Sequence, residues 1–271
     1  MILFSKLCRR QFGDEHHDCF SKDTYGVDAT RGNGVKLGEK ILELLFPRVC
    51  PVCGQIVLPK GELICPPCRK KISYVTGTYC MKCGKTLLHD TKEYCRDCSR
   101  NRRSFKRGII LANYTPEVQK ALLDVKYHNL RQNLDFFAAE IIRLRGKQIA
   151  GWQAQALIPV PLHPSKRRQR GFNQTEELCR RLSAGLQLPV DTSLLYRRKK
   201  TLPQKGLTNR QRMANLAEAF VAERRTEPYH TVILVDDIYT TGSTAELCTR
   251  ALMAAGVETV YVLCVAAGVV E

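Results

Sequence analysis

The chain has a single tryptophan, four methionines and an aromatic fraction of only 7% in 271 residues. It carries no stretch of interleaved aromatic and basic residues of the kind that stacks single-stranded bases. Apolar residues make up 44%, yet no apolar run reaches 18 residues. The longest, 260–270, reads as a buried strand rather than a membrane span. The opening Met1, Ile2, Leu3, Phe4, Ser5, Lys6 offers too short an apolar stretch for a secretory signal. Gly-x-Gly-x-x-Gly behind a strand is missing, and so is a loop closed by Gly-Lys-Ser/Thr, which excludes dinucleotide and Walker-type nucleotide sites. Acidic residues are also scarce. Twenty-six stand against 43 Lys and Arg, for a net charge of +17.

That surplus is clustered. Lys166, Arg167, Arg168 and Arg170 form one group, Arg197, Arg198, Lys199 and Lys200 a second, and Arg102, Arg103, Lys106 and Arg107 a third. Such clusters suit anionic partners, either a polyphosphate substrate or nucleic acid; a solvated basic face is the plainer alternative. Cysteine is abundant, with 13 residues. Without an export signal this points to a reducing compartment, the cytoplasm, and to metal rather than disulfides.

Residues 1–38 lack a periodic apolar pattern and are expected to form a loose extension. Cys8, His16, His17 and Cys19 within it match no standard metal spacing. A short apolar segment at 40–46 leads into an internal repeat. Cys50/Cys53, Cys65/Cys68, Cys80/Cys83 and Cys95/Cys98 start at a constant 15-residue step. Each Cys-x-x-Cys presents two sulfurs to one ion, and Gly54 and Gly84 follow two of them. Eight thiolates make two tetrahedral four-cysteine sites, the arrangement zinc adopts in structural roles. Spacing permits sequential pairing of the four motifs or a cross-braced one. Residues 39–104 are therefore expected to be a small metal-built domain, because they have too few large apolar residues for a core of their own.

Residues 105–271 read as α/β. Strands are expected at 108–114, 156–160, 232–235 and 257–265, with helices starting after Thr115-Pro116, spanning 134–144, and capped by Asn173 and Glu176. Residues 105–267 have enough periodic apolar pattern for a core of their own. Cys179, Cys248 and Cys264 fall on apolar faces as small buried residues.

The most informative stretch runs from His230 to Thr244. Val232, Ile233, Leu234 and Val235 form a buried strand, and Asp236 and Asp237 end it. Thr240, Thr241, Gly242, Ser243 and Thr244 make a hydroxyl-rich turn, after which Ser243 and Glu246 have the spacing of a capping box. Free N–H groups at a helix start, backed by hydroxyls, suit a phosphate monoester, and glycine lets the backbone approach it. Two carboxylates beside it accept from vicinal sugar hydroxyls. The ligand that fits is a ribose 5-phosphate.

Residues 235–244 resemble the phosphoribosyl pyrophosphate signature of type I phosphoribosyltransferases. Ile158 to His163 and Arg170, Gly171, Phe172, Asn173 and Gln174 resemble the central segment of the ComF family of competence-associated, GntX-like proteins. Residues 204–215, ending at Phe220, resemble its third block. With the cysteine repeat the resemblance spans about residues 41–267. It implies a type I phosphoribosyltransferase-like, mostly parallel sheet with flanking helices, preceded by a double zinc ribbon with sequential pairing. It also implies phosphoribosyl pyrophosphate as substrate, magnesium with the substrate, two structural zinc ions, and a link to DNA uptake. Single-stranded DNA and competence helicase-type proteins are the partners such a link would supply. Asp236, Asp237 and 240–244 would then hold ribose and phosphate, and Gly171 and Asn173 the pyrophosphate. Arg170 and Arg212, with Lys199, Lys200 and Arg210 near the latter, would offset charge on the leaving group. No acceptor pocket can be read from the chain. An enzyme that transfers phosphoribosyl and a non-catalytic DNA-binding protein both remain open at this point.

Overall fold

A computed structural model describes residues 47–89, 91–198 and 219–269. The extension 1–38, segment 40–46 and the residues Lys199, Lys200, Arg210 and Arg212 lie outside the described residues.

The cysteine repeat folds as two matching halves. Gly54 donates to the Cys50 carbonyl at 2.9 Å and Gly84 to that of Cys80 at 2.9 Å, both glycines at positive φ (74° and 80°). Each half then enters a short helix directly from a cysteine: α1 (Pro66–Arg69) follows Cys65 and α2 (Arg96–Arg100) follows Cys95. Positive φ is what closes each knuckle, and glycine adopts it without a Cβ penalty.

The α/β part contains a four-stranded parallel sheet in the order β1-β6-β5-β2, with β1 Gly108–Asn113, β2 Ala156–Pro159, β5 Thr231–Tyr239 and β6 Thr259–Ala267. The short strands β3 (Leu195–Arg197) and β4 (Phe220–Ala222) pair antiparallel. Side chains of a strand alternate between faces, and the core obeys this. Ile233, Val235, Leu263 and Val265 pack on one side with α3 (Pro116–Tyr127), α4 (Asn133–Ala150) and α6 (Gln174–Leu186). Val232, Leu234, Val262 and Cys264 pack on the other with α7 (Ser243–Ala254) and the β3–β4 ladder. Burial on both faces explains the unbroken apolar runs of β5 and β6.

Several boundaries differ from the sequence reading. β5 does not stop at Val235; it carries Asp236 opposite Cys264 and continues to Tyr239 opposite Ala267. Helix α4 passes 144 and runs to Ala150, because Ile149 is buried again after a polar turn. The stretch after β2, where the sequence reading named no helix, contains the helix α5 (Pro164–Arg170), which ends at Gly171 with φ 80°.

The metal-built part does not stand apart. Ile64, Cys68 and Ile72 share one core with α3 and α4, while Val75, Cys80, Cys83 and Leu87 share the other with β6 and α7. Between the two halves the chain pairs with the free edge of β1. Val75 donates to Leu111 O at 3.0 Å, Asn113 donates to Ser73 O at 2.7 Å, and Tyr74 lies antiparallel to Ala112. An edge strand is thereby covered. Cys179, Cys248 and Cys264 are fully buried, as their spacing predicted. Trp152 stacks on Tyr261 with centroids 4.2 Å apart, and His128 bonds Asp124 at 2.9 Å. Among the described residues no helix is long and apolar enough to cross a membrane.

Candidate substrate site and metal centres

The eight motif cysteines converge in two groups, Cys50/Cys53/Cys65/Cys68 and Cys80/Cys83/Cys95/Cys98, with all sulfurs of a group within 4.8 Å of one another. The pairing is sequential, so the cross-braced alternative falls. Zn–S bonds of about 2.3 Å in a tetrahedron require sulfurs about 3.8 Å apart. Cys53 and Cys65 stand 3.9 Å apart and Cys83 and Cys95 3.7 Å. The electrostatics agree. Hydrogen bonds from Cys83, Cys95 and Cys98 hold Cys80 far below the usual thiol range, while bonds to Cys80 and its neighbours push Cys83 far above it. Burial, with bonds to Cys53 and Cys50, pushes Cys68 up to about 12. Four thiolates at this spacing need a divalent cation. Four sulfurs fill a tetrahedron and leave no open position, so both groups are structural zinc sites by their chemistry.

A second site lies at the carboxyl edge of the sheet. β5 and β2 are parallel neighbours, so the chain leaves both at the same rim, where open α/β sheets bind ligands. After Tyr239 the turn places Thr240, Thr241, Ser243 and Thr244 at the surface. Gly242, at φ 78°, is the N-cap of α7. The first N–H groups of that helix have no acceptor within it. Thr241 and Ser243 hydroxyls bond each other at 2.9 Å. The capping box expected from Ser243 and Glu246 does not form. Glu246 instead accepts from the backbone N–H and hydroxyl of Ser104, at 2.8 and 2.7 Å, and pairs with Arg250 at 2.6 Å. A long-range partner with two donors outcompetes the local one.

The adjacent carboxylates differ in environment. Asp237 is buried and forms an ion pair with Lys126 at the end of α3; Gln174 Nε2 approaches it at 3.5 Å. Asp236 is half-buried, and its Oδ1 accepts the Asp237 N–H at 2.9 Å. Burial, reinforced by the charge of Asp237, pushes the Asp236 carboxyl well above the usual aspartate range; Lys126 opposes this.

Arg170, at the end of α5, donates to Gln174 Oε1 at 2.5 Å and lies 5.8 Å above the exposed ring of Tyr127. It therefore meets the acid pair through Gln174. The buried Asn173 side chain is engaged within the fold. It accepts from the Thr175 N–H at 3.2 Å and donates to Val160 O at 3.1 Å. Sequence reasoning missed Lys126, and assigned Gln174 to a motif without a role. Their signal is positional: one ends α3 and the other begins α6, both at the strand-end rim.

Comparison with known proteins places these features. The family described as "Double zinc ribbon domain" matches residues 41–99. The chain is 41% identical over 110 residues to Competence protein F of Haemophilus influenzae, covering 40% of this chain and 48% of that protein. It is 31% identical over 163 residues to the DNA utilization protein YhgH of Shigella flexneri and of Escherichia coli O157:H7, covering 59% of this chain and 71% of each relative. The chain thus spans about half the length of the first relative and more than two thirds of the others. Among solved structures, a purine phosphoribosyltransferase from Pyrococcus horikoshii aligns with a TM-score of 0.30 at 18% identity, over 48% of this chain and 72% of that one.

Proposed function

This chain belongs to the ComF family, and from that premise we propose that its strand-end site binds phosphoribosyl pyrophosphate and transfers the phosphoribosyl group to an acceptor linked to DNA uptake. The observation that carries this reading is the sharing of one rim by Asp236, Asp237 and the N-terminus of α7. Exposed hydroxyls of the 240–244 turn and the first N–H groups of α7, which have no acceptor within the helix, would take the 5-phosphate. The carboxylates would accept from the ribose hydroxyls and fix the sugar. Breaking the bond between C1 and the pyrophosphate oxygen leaves positive character on the sugar and negative charge on the leaving group. Asp236 and Asp237 lie where they would favour the first, and Arg170, with Arg212, would offset the second. Lys126 and Gln174 hold Asp237 in place for this task.

Among the described residues, no three carboxylate or imidazole groups converge. Magnesium would come on the oxygens of the substrate, where it neutralises the diphosphate. The cytoplasm, where both phosphoribosyl pyrophosphate and reduced thiols are available, suits such a protein.

The test is calorimetric titration of phosphoribosyl pyrophosphate with magnesium. Asp236→Asn and Asp237→Asn should each weaken binding about tenfold or more, as loss of a charge-assisted bond worth roughly 1.5–3 kcal/mol would. Unchanged affinity in both variants would remove the reading. Pyrophosphate release, followed with nucleobases, amines and single-stranded DNA, would then identify the acceptor.

A second reading, a DNA-binding protein without catalysis, is favoured by the exposed Lys166, Arg167 and Arg168 on α5. It requires affinity for single-stranded DNA that falls with salt at a log–log slope of about −0.7 per neutralised phosphate. DNA affinity with that dependence, and none for phosphoribosyl pyrophosphate, would favour it over transfer.

A further inference from the structure

The 240–242 turn is held from behind by a segment that no motif marks. Residues 102–107 leave the Cys80/Cys83/Cys95/Cys98 site directly after α2. Arg103 donates Nη2 to the Thr241 carbonyl at 2.6 Å. Ser104 anchors Glu246 in the first turn of α7. Phe105, fully buried, meets Tyr239 edge-on with centroids 6.4 Å apart, and Lys85 lies 5.4 Å over the Tyr239 ring.

Two polar atoms in this contact have no partner among the described residues: Arg103 Nε and Tyr239 Oη. Tyr239 is 3% exposed, and its hydroxyl packs hard against Gly242, where a Cβ would lie only 2.0 Å away. A sealed phenol and a guanidinium thus adjoin a turn whose Ser243 N–H finds only a long, 3.4 Å bond to Thr241 Oγ1. Donors are in excess there, and buried donors without acceptors are rare in stable folds. A phosphate dianion at the turn supplies the opposite charge that no described residue gives the Arg103 guanidinium.

We propose that Arg103 and Tyr239 belong to the phosphate site, Arg103 as a positioning residue that fixes Thr241 and adds its charge beside the bound anion, and Tyr239 as the support beneath Gly242. This rests on the reading that the turn receives a sugar phosphate. It adds to that reading a cation delivered by the second four-cysteine unit, 138 positions away in sequence from the residue it holds.

The probe is ribose 5-phosphate, titrated calorimetrically into the full-length zinc-loaded protein at pH 5.5 and 7.5. A phosphate monoester takes its second charge near pH 6, so the wild type should bind more tightly at the higher pH. Arg103→Gln keeps a donor for Thr241 but loses the charge; it should weaken binding about tenfold at pH 7.5 and lose most of the gain with pH. Arg103→Lys should retain most of that gain. A merely structural arginine would lower affinity equally at both pH values. Tyr239→Phe preserves ring packing and should fold even if the arginine variants do not; it should weaken binding severalfold without lowering the melting temperature. Wild-type affinity and pH response in both Arg103→Gln and Tyr239→Phe would overturn the proposal, while a loss in Asp237→Asn in the same series would keep the sugar-phosphate reading. A wild type that does not bind ribose 5-phosphate would remove that reading, and the proposal with it.

Discussion

Gly84 and Gly108 meet backbone to backbone. A Cβ on Gly84 would lie 2.8 Å from the Gly108 carbonyl oxygen, and one on Gly108 would lie 2.6 Å from that of Cys83. The contact joins the second metal knuckle to the start of β1, and Gly108 donates to Lys82 O at 2.7 Å beside it. Neither obstacle is a flexible side chain. Gly108→Ala and Gly84→Ala should therefore each destabilise the fold by about 1–3 kcal/mol, the latter also through its positive φ. Denaturant unfolding of the two variants checks this, and near-wild-type midpoints would contradict the close approach.

Elemental analysis should find two zinc ions per chain. Because Ile64, Cys68 and Ile72 in one half, and Val75 and Leu87 in the other, share cores with the sheet's helices, chelation should lower the stability of the whole unit. The sequence suggested instead that 105–267 would keep its own core and stay folded. Near-ultraviolet circular dichroism during chelation separates the two outcomes, since Trp152 and Tyr261 report on the α/β part.

Replacing the two aspartates should move stability in opposite directions. The raised folded pKa of Asp236 means that stability falls as pH rises from the ordinary aspartate range, near 3.9, towards the folded value. At neutral pH its burial is therefore a cost. Asp236→Asn should raise the melting temperature while it weakens binding about tenfold or more. Asp237→Asn leaves Lys126, only 16% exposed, without its ion-pair partner, and should lower stability by about 1–3 kcal/mol. Thermal melts of both variants at pH 7 give the comparison.

Glu246 supplies a pH dependence of opposite sign. Burial opposes its charge, but the Ser104 N–H and hydroxyl and the Arg250 guanidinium hold its pKa below the usual glutamate range. Its contribution is complete above that range, near 4.3, and is lost as pH falls through the depressed folded value. Glu246→Gln should flatten the stability profile below about pH 4.3. An unchanged acid profile would mean that Glu246 carries no such linkage.

The parts that were legible in sequence share a property: their chemistry is local. Cys-x-x-Cys spacing states its own ligand geometry, and β5, α7 and β6 declare themselves through apolar periodicity. The failures arise where a distant partner intervenes. Ser243 and Glu246 spell a capping box, but Ser104 sits 142 positions away and takes the carboxylate. Lys126 looks like any basic residue at a helix end until the fold brings Asp237 to it. Arg103 lies in a charge cluster that its sequence neighbours make look solvated. Single basic residues carry no pattern of their own, so their roles appear only with tertiary contacts.

The covering of β1 by residues 73–75 has a consequence for synthesis. The chain emerges N-terminus first, so both metal knuckles and the segment between them leave the ribosome before β1, and β1 before its sheet neighbour β6. The order β1-β6-β5-β2 leaves β1 waiting for a strand made about 150 residues later. A ribbon already closed around its ions offers that strand a partner in the interval. Without the ions that strand would emerge with neither neighbour in place, its edge uncovered.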